Sequence, residues 1–137
     1  MLYKGNMMAE PIRILVIEDS VIAQVVIKKQ LMNFGSGVDV ASNGVEALEK
    51  TEKNTYDLIL MDIGLGTGLN GFELSTMIKQ QEGLNKNTPI IAVSAHGEME
   101  FNHKALEVGM VGYYTKPFSP HDAANIINYL SDKAQKK

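Results

Sequence analysis

An apolar run that ends on a carboxylate, Leu58-Ile59-Leu60-Met61 followed by Asp62, limits most sharply what this chain can fold into. An unbroken apolar run of that length, bounded by polar and glycine-rich sequence, reads as a strand buried on both faces. Such strands belong to parallel sheets covered by helices, and open sheets of that kind bind ligands just beyond the strands' carboxyl ends. Asp62 stands at such an end. The stretch behind it contains Gly64, Gly66, Gly68 and Gly71, and reads as a loop too flexible to bury the acid under packing.

The pattern recurs along the chain. Ile12 to Ile17 makes a first strand ending in Glu18-Asp19, and Ser20 caps a helix running to about Phe34, with Gly35 as its stop. Val38 to Ala41 is a second, short strand. Asn43-Gly44 opens a helix over 45–53 with Val45, Ala47 and Leu48 as its apolar positions. After the central strand, 57–62, comes a helix from Phe72 to Gln81. Pro89 then introduces the strand Ile90-Ile91-Ala92-Val93, which ends in Ser94. A helix over roughly 98–108 turns Phe101, Ala105, Leu106 and Val108 inward and closes at Gly109. Val111 to Thr115 is the fifth strand, followed by Lys116-Pro117. Ser119, Pro120 and Asp122 then start the last helix with a capping-box pattern, and Ile126, Ile127 and Leu130 form its buried stripe. Five strand–helix alternations with right-handed crossovers predict an α/β fold, a doubly wound five-stranded parallel sheet with five helices on two faces.

Composition narrows the function classes. With 137 residues and 45% hydrophobic content, the chain suits one domain with one good core. Residues 1–10 read as a leader or linker remnant, and residues 11–137 as the domain. The absence of cysteine excludes disulfides, zinc–thiolate sites and thiol catalysis, and it fits the expected cytoplasmic setting. A net charge of −3 without a basic stripe argues against direct nucleic-acid binding. No apolar run approaches membrane-spanning length, so no membrane insertion is expected.

Glu18, Asp19, Asp62, Ser94 and Lys116 all fall at strand ends, and one parallel sheet brings them to one rim. Carboxylates held close repel, each near pair costing about 4 kcal/mol at an effective dielectric near 20. Proton uptake or a cation relieves that cost. Oxygen ligands without histidine or thiol favour a hard ion, and Mg²⁺ suits a site that keeps positions open for water and phosphate. A carboxylate nucleophile beside Mg²⁺, lysine and a hydroxyl is the set needed for phosphoryl transfer onto aspartate.

From about Arg13 to Leu130 the chain resembles the response-regulator receiver domains of two-component signalling, and its Asn87-Thr88-Pro89-Ile90-Ile91-Ala92 run, with Ser94-Ala95-His96 and Gly109-Met110, resembles hybrid histidine kinase receivers more than transcription-factor ones. The resemblance rests on Ile14-Leu15-Val16-Ile17-Glu18-Asp19, Leu58-Ile59-Leu60-Met61-Asp62-Ile63, Ala92-Val93-Ser94-Ala95 and Tyr113-Tyr114-Thr115-Lys116-Pro117-Phe118. It implies the flavodoxin-like strand order 2-1-3-4-5. It also implies that Asp62 is the phosphoacceptor, charged from a histidine kinase or a histidine phosphotransfer protein. By the same resemblance Glu18, Asp19, Asp62 and the backbone carbonyl of Gly64 hold Mg²⁺, for which Mn²⁺ could substitute. Ser94 and Lys116 contact the phosphoryl oxygens, Tyr113 is the switching aromatic, and the Lys116–Pro117 bond is often cis. Phosphorylation then alters the surface of the fourth helix, fifth strand and last helix, which a downstream protein reads, or the group is passed on. Such a domain catalyses its own phosphorylation and dephosphorylation, yet its product is a conformational state, and a monomer or weak dimer is expected. The loop behind Asp62 departs from the family pattern: it lacks the usual proline and runs one residue longer before Gly71.

Other readings stand beside this one. A pseudo-receiver would bind partners without phosphorylation. Gly66-Thr67-Gly68-Leu69-Asn70-Gly71 matches the dinucleotide fingerprint, but it does not follow its strand directly, and Asp62 would repel a pyrophosphate. His96, two residues past Ser94, reads as a rim residue, and His103 and His121 as solvated. Met61, Met77 and Met110 read as core or near-core filler. In the first helix Ile22, Ala23, Val26, Ile27 and Leu31 make a sufficient buried stripe, yet Val21 and Val25 are apolar too, at i and i+4. They mark either a wide stripe or a docking patch for a helical phosphodonor.

Overall fold

The computed structural model describes residues 11–64, 70–81, 83–95 and 103–135. The expected leader, the glycine loop over 65–69 and His96 lie outside these residues, as does the first part of the helix expected over 98–108. Five strands, β1 (Arg13–Ile17), β2 (Gly37–Ala41), β3 (Leu58–Asp62), β4 (Ile90–Ser94) and β5 (Met110–Thr115), alternate with five helices. The helices are α1 (Val21–Met32), α2 (Gly44–Lys53), α3 (Gly71–Gln80), α4 (His103–Glu107) and α5 (Pro120–Gln135). Every strand pair is parallel, and the order across the sheet is β2-β1-β3-β4-β5, as expected.

Strand periodicity divides the interior into two cores. Leu15, Ile17, Ile59, Met61, Ile90 and Ala92 point to one face and meet Ala47, Leu74, Ile78 and Ala105 of α2, α3 and α4. Their neighbours Ile14, Val16, Leu58, Leu60, Ile91 and Val93 point to the other and meet Ile27, Leu31, Ala123, Ile126 and Leu130 of α1 and α5. Successive side chains of a strand face opposite sides, so unbroken apolar runs were required where both faces are covered.

The helix punctuation matches the sequence. Ser20 Oγ accepts from the Ala23 amide, Asn43 Oδ1 accepts from the Glu46 amide, and Ser119 and Asp122 exchange the two bonds of a capping box. A further capping box joins Asn70 and Glu73 at the start of α3, one residue before the expected helix. Gly71, the first residue of α3, is required for close packing. A Cβ there would lie 2.9 Å from Ile63 Cα and 3.1 Å from the Asp62 carbonyl oxygen. The last glycine of the apparent fingerprint thus seats a helix against the end of β3.

Several apolar positions face outward instead of inward. Ile22 and Val26 of α1, Val45 of α2, Met77 of α3 and Leu106 of α4 are all exposed, Ile22 by 79%. In α1 only Ile27 and Leu31 are buried, because α1 meets the sheet along one narrow line while its apolar residues run round most of its circumference.

At the edge where the strands begin, a neutral polar network closes the fold. Buried Asn85 accepts from the Tyr56 amide at 2.9 Å and donates to the carbonyls of Thr51 at 2.7 Å and Asn54 at 2.6 Å. The Thr88 hydroxyl lies 3.0 Å from Asn85 Oδ1 and 3.1 Å from the Tyr56 carbonyl. Burial, reinforced by the Asp39 carboxylate, pushes the Tyr56 phenol well above its ordinary pKa, so it stays a neutral donor to Asp39 Oδ2 at 2.6 Å.

Candidate functional site

Parallel register fixes which strand-end residues meet. Ile17 pairs with Met61, which sets Glu18 level with Asp62; Asp62 pairs with Val93, and Ser94 with Thr115. The ladder continues past the strand ends through Ile63 N–H to the Val93 carbonyl at 3.0 Å and Lys116 N–H to the Ser94 carbonyl at 2.9 Å. Glu18, Asp62, Ser94 and Lys116 therefore arrive at one rim because five strands share one direction. The Lys116–Pro117 peptide is cis, as the resemblance implied.

Oxygen atoms of Glu18, Asp19 and Asp62 all lie within 4.8 Å of one another. Asp19 is exposed, but Glu18 and Asp62 are only 1% and 4% exposed, so the expectation of an unburied Asp62 is corrected. Its contacts come from across the sheet as well as from the chain behind it. Lys116 Nζ donates to Asp62 Oδ2 at 3.0 Å and pairs with Glu18 Oε1 at 3.3 Å, while the Gly64 amide donates to Asp62 Oδ1 at 3.0 Å. Ser94 is fully buried, and Tyr113, half-buried on the neighbouring strand, packs against the core of the α2–α4 face.

Three carboxylates face one ammonium here, and the protonation equilibria respond. Burial above all, with the charge of Asp62 adding to it, raises the Glu18 carboxyl above its usual range against the opposing Ser20 amide and Lys116. Burial alone would lower Lys116, but its hydrogen bond to Asp62 and the charges of Asp62 and Glu18 outweigh it and hold the ammonium above its ordinary value. Glu18 Oε1 is buried and meets the Lys116 ammonium at 3.3 Å without a well-formed hydrogen bond. A buried carboxylate oxygen so weakly satisfied, in an all-oxygen cluster of net negative charge, fits a hard divalent cation such as Mg²⁺.

Beside this cluster lies a groove of about 480 Å³ between α1 and the connection from β5 to α5. Glu18 and Lys116 stand at one wall, with Ile22, Val26, Pro117 and Phe118 among its apolar lining. Val21 and Val25 are 68% and 60% exposed on the same helix. The apolar surface expected from those two valines is thus broader, since Ile22 and Val26 join it. One site neighbour was not anticipated from sequence: Gln24, whose side chain bonds the Glu18 carbonyl. A lone glutamine on a helix gives no signal of that contact.

Comparison with known proteins agrees with this geometry. A family model described as "Response regulator receiver domain" matches residues 14–128. The chain is 33% identical over 118 residues to the probable transcriptional regulator ycf29 of Pyropia yezoensis, covering 86% of this chain and 52% of that protein. It is 34% identical over 124 residues to hybrid signal transduction histidine kinase G of Dictyostelium discoideum, covering 87% of this chain but 4% of the relative. The chain thus spans about half, or far less, of the curated relatives it matches. Among solved structures, a sensor histidine kinase receiver domain from Pseudomonas aeruginosa superposes with a TM-score of 0.78 at 31% identity, covering 88% of this chain and 98% of that one. That receiver was solved with a magnesium ion coordinated in its active-site cleft. By fold, by the acids at its rim and by this match over most of its length, the chain belongs to the response regulator receiver domain family.

Proposed function

We propose that Asp62 is the phosphoacceptor of this receiver domain and that its donor is a phosphohistidine on a histidine kinase or histidine phosphotransfer protein. The observation that carries this is the pairing of buried Asp62 with Lys116 Nζ at 3.0 Å inside an acidic trio. Glu18, Asp19 and Asp62, with the Gly64 carbonyl, would hold Mg²⁺, and Mn²⁺ is expected to substitute because it accepts the same oxygen ligands. Bound there, the cation supplies charge neutralisation for the incoming phosphoryl oxygens.

The residues divide the remaining work. A carboxylate oxygen of Asp62 attacks phosphorus, the P–N bond to the donor imidazole breaks, and its electron pair leaves with the imidazole nitrogen, which takes up a proton. Lys116, kept protonated by its carboxylate neighbours, holds negative charge at the reacting centre before and after transfer. The Ser94 hydroxyl donates to a phosphoryl oxygen, and Tyr113 turns inward as Ser94 shifts, changing the face formed by α4, β5 and α5. That face is then read by a downstream protein, or the phosphoryl group moves on along a relay. Val21 and Val25, extended by Ile22 and Val26 along the groove, are the docking surface for the donor helix.

The test is intact mass after incubation with acetyl phosphate and Mg²⁺. The expected outcome is a gain of one phosphoryl mass that requires Mg²⁺ and is lost in Asp62→Asn. No adduct, together with no binding of beryllofluoride, would overturn the proposal in favour of a module that works without phosphorylation. For the docking surface, Val21→Lys with Val25→Lys should slow transfer from a phosphohistidine protein and leave acetyl phosphate labelling intact; equal loss with both donors would count against it.

A further inference from the structure

A neutral side chain grips the main chain that carries two of the three acids. Gln24, in α1, directs Nε2 to the Glu18 carbonyl at 2.6 Å and to Ser42 Oγ at 3.0 Å. A carbonyl only accepts, so the amide end of Gln24 is the end that faces it. Gln24 is itself placed by its backbone, whose N–H donates to the Ser20 carbonyl at 2.9 Å. Ser42 lies in the connection from β2 to α2, where its amide donates to Glu46 Oε1 at 2.7 Å and the Glu46 amide donates to Asn43 Oδ1 at 2.9 Å. One side chain therefore ties α1, the end of β1 and the start of α2 together.

The carbonyl it grips belongs to the peptide between Glu18 and Asp19. A peptide unit is planar, so fixing its oxygen sets the direction in which Asp19 leaves the strand. Glu18 is also held by its amide on the Ala41 carbonyl at 3.0 Å and by the Ser20 amide on Oε2 at 3.0 Å. Asp19 is the exposed member of the trio, and the peptide that bears it sets the direction from which its carboxylate approaches the site. We propose that Gln24 is a positioning residue for the divalent-cation site, holding the Glu18–Asp19 peptide so that both carboxylates converge with Asp62. The proposal rests on the acidic trio being that site.

Calorimetric titration of Mg²⁺ into the full chain tests it, with thermal denaturation of each metal-free variant alongside. Gln24→Met keeps the length of the side chain and loses both donors; Ser42→Ala removes one anchor of the bridge. Loss of a partner behind a ligand commonly weakens metal binding by 10- to 100-fold, so Gln24→Met should bind Mg²⁺ about tenfold more weakly and Ser42→Ala about threefold. With acetyl phosphate, the half-saturating Mg²⁺ concentration should rise by the same factor while the rate at saturating Mg²⁺ stays near that of the unmodified chain. A purely structural role would lower the melting temperature without moving the Mg²⁺ affinity of the folded protein. Unchanged affinity in folded Gln24→Met overturns the proposal, and if that variant does not fold, unchanged affinity in Ser42→Ala does so. Absence of Mg²⁺ binding in the unmodified chain would instead overturn the cation site itself.

Discussion

Where the strands begin, Asn85 is buried with donors and acceptors in use; where they end, Glu18 and Asp62 are buried just as deeply among like charges. Both edges take polar groups out of water, and the cost is met differently. Asn85 joins the α2–β3 and α3–β4 connections through neutral hydrogen bonds, so its own donors and acceptors are met within the fold. Among the described residues the opposite edge sets the Lys116 ammonium against three carboxylates, with Glu18 Oε1 buried and no well-formed hydrogen bond to it. The comparison separates a polar cluster that completes a fold from one whose net charge suits a cation.

The largest effect is expected at the neutral edge. Asn85→Ala leaves the Tyr56 amide and two carbonyls without their partner and should cost about 3 kcal/mol in denaturant unfolding. Mg²⁺ affinity of the folded fraction should not change; a change would break the separation of the two edges. Next comes Gly71→Ala, whose Cβ meets the backbone of Ile63 and should destabilise by about 2 kcal/mol. Because that backbone adjoins Asp62, this variant should also weaken Mg²⁺ binding, read by calorimetry.

At the charged edge the sign reverses. Glu18→Gln removes a buried charge and should stabilise the metal-free protein by about 1 kcal/mol while abolishing the rise in melting temperature that Mg²⁺ produces. Smallest is a pH effect. The Glu18 carboxyl lies above its ordinary 4.5 in the folded state, so from that pH upward the folded chain holds this proton more tightly than the unfolded chain. Metal-free stability relative to Glu18→Gln should therefore fall as pH rises through this window, measured by paired thermal melts. A flat difference would mean that burial of Glu18 costs nothing.

Much of this was legible in the chain. Apolar runs with a polar residue at each end gave the strands, and parallel register alone brings Glu18, Asp62, Ser94 and Lys116 together. What escaped has a common physical cause. Ile22 and Val26 could not be placed because α1 is apolar round most of its girth, leaving periodicity no contrast to report. Asn85 and Gln24 are ordinary polar residues whose partners stand far away in sequence, so their roles exist only after folding. The depth of Asp62 was hidden for a similar reason, since one of its closest partners, Lys116, comes from two strands away in the sheet.

The contact between Gly71 and the end of β3 has a consequence for engineering. Gly64 is tied to the Asp62 carboxylate, and the Gly71 amide donates to the Ile63 carbonyl at 3.2 Å, so residues 65–69 span two anchored points. Lengthening a tethered span costs little, only about 0.6 kcal/mol for each doubling. A longer connection from Gly64 to Gly71 would therefore leave both anchors in place.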